Sequence, residues 1–323
     1  MPSMKLIRLR DFIRVKNYYF SVVGYRNEKA VKCFLRYAQH VGGDRIKNGV
    51  RFKKLSHEEA FCVEEWRRYF DGKIFRIPLD IVDEVLKPEE RLLEVMDSEV
   101  KKVVQLFSSI PKDKMGVTGS RLIGLEGKDS DVDFVVYGKY WFYARELIKK
   151  GILEGRLAEP DEITWNYIYE KRKVPIPFEI FKAHERRKYH RAYIGSTYFD
   201  LLYVRDYDEL NRDVPEEVGT KYGFREVEAE LLDDSLIYDY PAYYPVKSTQ
   251  IKAILCFTHT YVGQALKGER IFARGVLEKI GDDFYLIVGT SRETQEEFMV
   301  SVDLIEKEGL KEEFESWLKE RLL

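Results

Sequence analysis

Apolar and polar positions first alternate with a period of two. Asp11-Phe12-Ile13-Arg14-Val15 and Tyr18-Tyr19-Phe20-Ser21-Val22-Val23-Gly24-Tyr25 predict a strand pair around Lys16-Asn17, and residues 30–37 and 51–55 add two more strands. Ser56-His57-Glu58-Glu59 places serine at a cap and glutamate three residues on, a capping box, and opens a helix carrying Phe61, Trp66 and Tyr69. Across residues 81–109 the spacing becomes helical: Pro88-Glu89-Glu90 suits a first turn, and Leu92, Leu93, Met96, Val100, Val103, Val104 and Phe107 recur on one face. Short apolar runs at 115–117, 132–137 and 198–204 read as strands, and 140–150 and 162–169 as helices. Residues 206–240 are acidic and read as a connector. Beyond them the period of two returns at 251–261, 271–280, 284–288 and 298–304, with Gly281-Asp282-Asp283 as a hairpin turn. The tail, 311–323, predicts a charged helix with Phe314, Trp317 and Leu318 on one face.

These patterns divide the chain into an N-terminal α+β module (1–80), a central core (81–210), an acidic connector (211–240) and a C-terminal β-rich module with a terminal helix (241–323). Strand spacing in the last part suggests a small barrel-like module. Its tyrosines 238, 240, 243, 244 and 261 suit core packing, with single-strand stacking as the sharper alternative.

Charge narrows the function classes. The net charge of -2 gives no global basic excess, so contact with a polyanion has to come from a local patch. One such patch is residues 171–191, where Lys171, Arg172, Lys173, Lys182, Arg186, Arg187, Lys188 and Arg191 face only Glu179 and Glu185. Another is Arg45, Lys47, Arg51, Lys53 and Lys54, which reads as a lysine-decorated edge strand before it reads as an RNA surface. Cys33, Cys62 and Cys256 are scattered with no C-x-x-C, which argues against a structural zinc site or a disulfide framework and fits a reducing cytoplasm. No apolar run reaches membrane-spanning length.

The chemistry concentrates in GVTGSRLIGLEGKDSDVDFVVY, residues 116–137. In a strand, residues i and i+2 share a face, so Asp131 and Asp133 project side by side while Val132 and Phe134 pack behind them. Two carboxylates that close repel unless a cation lies between them, and oxygen donors at this spacing suit Mg2+ or Mn2+. Upstream, Thr118-Gly119-Ser120 lets backbone approach an anion and offers a hydroxyl and free N–H groups to phosphate oxygens. An EF-hand is excluded: its turn position would be Phe134 and its closing ligand Tyr140. No G-x-x-x-x-G-K-[ST] is present.

Gly119-Ser120, a gap over 121–130, then Asp131-Val132-Asp133-Phe134 resembles the signature of the DNA polymerase beta-like nucleotidyltransferase superfamily. The resemblance implies an α+β core with a mixed sheet and helices on one face, and a third carboxylate on a later strand. Asp200, inside Tyr198-Phe199-Asp200-Leu201-Leu202-Tyr203-Val204, supplies it; Glu179 is the rival. It further implies that Asp131, Asp133 and Asp200 are both catalytic and metal-holding, that Gly119 and Ser120 grip the nucleotide's phosphates, and that an NTP with two divalent ions is the substrate. Lys182, Arg186 and Arg187 become candidate phosphate cations beside such a site. The overall layout, with D-F-I…S-V-V-G-Y at the front, also resembles an archaeal family of predicted nucleotidyltransferases without an assigned substrate. The expected reaction is transfer of a nucleoside monophosphate to a hydroxyl, an RNA 3' end being favoured over a protein or small-molecule acceptor. A retired core that only binds nucleic acid is the alternative from another class.

Overall fold

The computed structural model describes residues 6–128, 130–217, 219–290 and 296–322. It forms two compact units, Met1–Ala158 with His190–Asn211, and Glu159–Tyr189 with Arg212–Leu323. This division differs from the one read off the sequence. The N-terminal module and the core share a unit, and the basic stretch of 171–191 passes almost entirely to the other.

In the first unit the chain opens with β1 (Phe12–Val15), β2 (Tyr18–Val22), β3 (Ala30–Gln39), β4 (Arg45–Lys47) and β5 (Val50–Lys54). Helix α1 (His57–Phe61) follows, held by the predicted Ser56–Glu59 capping box, and then β6 (Phe75–Pro78) and β7 (Glu84–Leu86). Only five residues of the predicted helix form; Glu64–Tyr69 continues as a 3-10 turn. The strands make a sheet ordered β4-β5-β3-β2-β1-β7, with β6 also on β3. Alternate side chains enter two different cores. Ile13, Phe20, Val22, Leu35, Trp66 and Phe75 fill one. Phe12, Tyr19, Tyr37 and Phe52 fill the other, together with Leu122, Ile123 and Leu125. That second core is why residue 80 is no boundary: the sheet's second face is buried by the segment that follows Gly119-Ser120.

The rest of the unit comprises α2 (Pro88–Arg91), α3 (Ser98–Leu106), β8 (Met115–Val117), α4 (Gly119–Leu122), β9 (Val132–Tyr137), α5 (Lys139–Leu153), β10 (Arg191–Ile194) and β11 (Thr197–Val204). The four strands are ordered β10-β11-β9-β8, with β9 and β11 parallel and the other pairs antiparallel. Phe107, just past α3, stacks on Phe134 and meets Phe199 edge-on, and Trp141 of α5 meets Tyr203. Phe134, Phe199 and Tyr203 lie on one face by register, so both helices cover that face. Tyr137 projects from the opposite face. There the Arg8 guanidinium lies 3.7 Å from the Tyr137 ring centroid and 3.8 Å from that of Tyr207, and it donates to Glu89 at 2.8 Å. Such a buried cation is tolerable because rings and carboxylate together replace its water.

The second unit holds α6 (Glu162–Arg172), α7 (Phe178–Lys188), β12 (Thr220–Glu230), β13 (Ala242–Pro245), β14 (Ala253–Cys256), β15 (Arg270–Ile280), β16 (Asp283–Val288), β17 (Phe298–Ser301), α8 (Val302–Lys307) and α9 (Lys311–Leu322). The acidic segment expected to be a connector contains β12, an eleven-residue strand paired along β15. The sheet runs β12-β15-β16-β14-β13, with β17 also on β15. A bridge between Leu231 and Val246 joins the two end strands, so the path of paired strands returns on itself. Tyr238, Tyr244 and Tyr261 are buried, and the Tyr244 hydroxyl donates to the Tyr261 carbonyl at 2.6 Å. Among the described residues no helix is long and apolar enough to cross a membrane.

Candidate active site

Parallel pairing of β9 with β11 sets Asp200 directly across from Asp133. Both face away from the helix-covered side, and Asp131 precedes β9 by one residue. Carboxylate oxygens of Asp131, Asp133 and Asp200 lie within 4.8 Å of one another. Asp131 is exposed and the other two are half-buried. Burial, then the neighbouring Asp131 and Asp200 carboxylates, push Asp133 up to about 7. A cluster so arranged repels itself and is relieved by a cation.

Gly119 begins α4 with φ +71°. A Cβ built there would fall 2.4 Å from Asp133 Oδ2, so only glycine permits this approach. The Thr118 amide donates to the Asp133 carbonyl at 2.9 Å, which fixes the turn to the acidic strand. The Ser120 hydroxyl lies 3.4 Å from that of Ser130. Gly119, Ser120 and the three aspartates are therefore brought together.

Lys182, Arg186 and Arg187 are on α7, which belongs to the second unit. Lys182 pairs with Glu179 and Glu162, Arg186 with Glu159, and Arg187 makes a two-pronged contact to Glu269 with both distances 2.9 Å. Glu179, the rival third ligand, sits on the same helix and not on a strand.

Around the cluster, the roles of Tyr198 and Arg121 were not read from sequence, and Arg191 was named there only as a member of the basic stretch. Tyr198 donates to Asp200 Oδ1 at 3.0 Å, and the buried Arg191 approaches the same oxygen at 3.4 Å. Both were reachable by counting. Tyr198 is two residues upstream on the same strand face, and Arg191 pairs with Asp200 across the hairpin at Ile194–Thr197. Arg121 is buried and forms ion pairs with Asp97 and Glu99. It also donates to the carbonyls of Ser130 at 2.8 Å and Asp131 at 3.3 Å, which pins the backbone that presents the first carboxylate. No sequence spacing links Arg121 to Asp97.

With this geometry in place, comparison with known proteins is decisive. Residues 97–190 match the family model described as a nucleotidyltransferase domain. The chain is also 33% identical to the uncharacterized protein MJ1086 of Methanocaldococcus jannaschii, over 91% of this chain and 98% of that protein. The chain belongs to the polymerase beta-like nucleotidyltransferases. No solved structure matches it. The chain carries its Gly-Ser turn and first two aspartates inside the matched span, whereas Asp200 lies beyond it. The third carboxylate thus rests on the strand register and on its proximity to the other two.

Proposed function

We propose that the protein transfers a nucleoside monophosphate from an NTP to a hydroxyl acceptor, with an RNA 3' end as the favoured acceptor. The observation that supports it is the convergence of three carboxylates beside a glycine that touches one of them. The donor set fits a hard divalent ion: all oxygen, anionic, and set against a turn where a Cβ is excluded. Asp131, Asp133 and Asp200 would hold Mg2+ or Mn2+, as a pair of ions in this reading, which would neutralise charge as the acceptor oxygen bonds to the α-phosphorus and pyrophosphate leaves. The protein groups then work by position. The Gly119 and Ser120 amides and the Ser120 hydroxyl hold the β- and γ-phosphates. Tyr198 and Arg191 keep Asp200 Oδ1 oriented, so that the acceptor hydroxyl meets a fixed carboxylate. Arg121 holds the Asp131 backbone in register.

The test offers each labelled NTP, with Mg2+ or Mn2+, to the purified protein together with total cellular RNA and lysate. Label in nuclease-sensitive material supports an RNA acceptor. Label that survives nuclease moves the acceptor to a protein or small molecule. No label with any NTP, from protein that also fails to bind NTP, sinks the transferase reading.

A further inference from the structure

Three carboxylates and a triphosphate are all anionic, so the site needs fixed cations besides its metal ions. The first unit supplies them, from its N-terminal sheet.

That sheet reaches the nucleotide turn at several points. The Thr118 hydroxyl donates to the Arg10 carbonyl at 2.6 Å, and the Thr118 amide donates to Asp133. Arg10 itself has φ +72°, a conformation a non-glycine residue holds only when its surroundings impose it. Tyr37 is buried in the core that holds Leu122 and Ile123, and its register partner on β5 is Lys54. Phe52 and Lys54 share a strand face, and Phe52 packs into the core built with Leu122 and Ile123. Lys54 therefore stands, exposed, on the side of the sheet that meets the Gly-Ser helix. Its neighbour Lys53 points to the other side and pairs with Glu59 at 2.6 Å. Lys47 donates to the Ile123 carbonyl at 2.7 Å, bracing the same loop.

We infer that Arg10 and Lys54 form a cationic clamp for the polyphosphate of the bound nucleotide, so that the N-terminal sheet is one wall of the active site. The inference rests on the transferase reading, and it assigns to Lys54 a role the sequence attributed to a solvated edge. Charge-assisted contacts of this kind are each worth a factor of about ten or more in affinity.

The experiment titrates the full-length protein with magnesium inorganic triphosphate, magnesium ATP and AMP, and separately with Mn2+ alone. The proteins compared are wild type, Lys54→Ala, Arg10→Asn and Lys53→Ala. Asparagine tolerates the left-handed backbone at position 10. Lys54→Ala and Arg10→Asn each weaken triphosphate and ATP about tenfold, leave AMP within about twofold, and still bind Mn2+; Lys53→Ala binds everything like wild type. Should Arg10→Asn not fold, Lys54→Ala at its exposed position decides. Wild-type affinity for triphosphate in Lys54→Ala, or an equal loss in Lys53→Ala, overturns the clamp alone. Failure of the wild-type protein to bind either triphosphate or ATP overturns the clamp and the transferase reading together.

Discussion

The acidic cluster of the first unit and the basic helix α7 of the second both concentrate charge, and they dispose of it in opposite ways. On α7, Lys182, Arg186, Arg187 and Lys188 each meet a carboxylate within 3.2 Å. In the cluster, three carboxylates meet one another, and Arg191 approaches only one of them. A run of like charge in a sequence is therefore weak evidence of a binding site, because partners elsewhere in the chain can match it. Like charges held together by strand register are stronger evidence. The fold imposes a repulsion there that only a ligand removes.

The contrast can be broken most sharply at Asp133 and Asp200. Asparagine at either position is expected to lower transfer by about 10^3-fold or more, measured as incorporation of labelled nucleotide. The same Asp133→Asn change relieves repulsion, so the metal-free protein should melt roughly 2–4 °C higher, not lower. An active Asp200→Asn enzyme would remove Asp200 from the catalytic set. Next in size is Gly119→Ala. A Cβ placed 2.4 Å from Asp133 Oδ2, on a backbone with φ +71°, should cost about 1–3 kcal/mol and abolish tight Mn2+ binding. Retained Mn2+ affinity in that variant would mean the turn is not part of the site.

On the second unit the expected changes are structural. Arg187→Ala leaves Glu269 half-buried without its two-pronged partner, and should cost that unit about 1–3 kcal/mol in urea unfolding while Mn2+ titration is unchanged. His184 offers a pH test. Its Nδ1–H donates to the Ile180 carbonyl at 2.7 Å, and Nε2 accepts from the Ser301 amide at 2.9 Å, so the buried ring is neutral. Burial, aided by Arg187 and Lys188, lowers it from its ordinary 6.5 to about 3. Between those values the unfolded chain binds a proton that the folded one does not. Acid therefore favours opening, by about tenfold per pH unit below 6.5. Hydrogen exchange at the Ser301 amide reads this directly: its protection should fall as pH drops through that window and stay flat above it. The smallest effect belongs to Lys182→Ala, whose partners are both exposed; a change above about 0.5 kcal/mol in stability would contradict the pairing described.

The carboxylates and the glycine were legible because each is a local rule. Asp131 and Asp133 follow from a period of two, and Asp200 from the oddity of a charge inside an apolar run. The capping box at Ser56 was equally local. Failures came where the deciding contacts are distant. Most of β12 faces solvent, so Tyr222 to Glu226 lacks the alternation that marks a half-buried strand. The strand β7 is three residues long and was absorbed into a helical reading of 81–109. The pairs of α7 span up to Glu269, and the approach of Arg10 and Lys54 to the turn depends on sheet register some 65 to 110 residues away in sequence.

One feature of the chain path governs how the site can be made. Residues 159–189 leave the first unit and His190 returns to it. A ribosome therefore releases Asp131 and Asp133 as a two-carboxylate half-site. It must finish α6 and α7 before β11 can slide in beside β9 with Asp200. Assembly of the three-carboxylate cluster becomes a late event in biogenesis, one that reports completed insertion of a strand. A nick anywhere in that excursion yields two fragments, neither of which holds all three carboxylates.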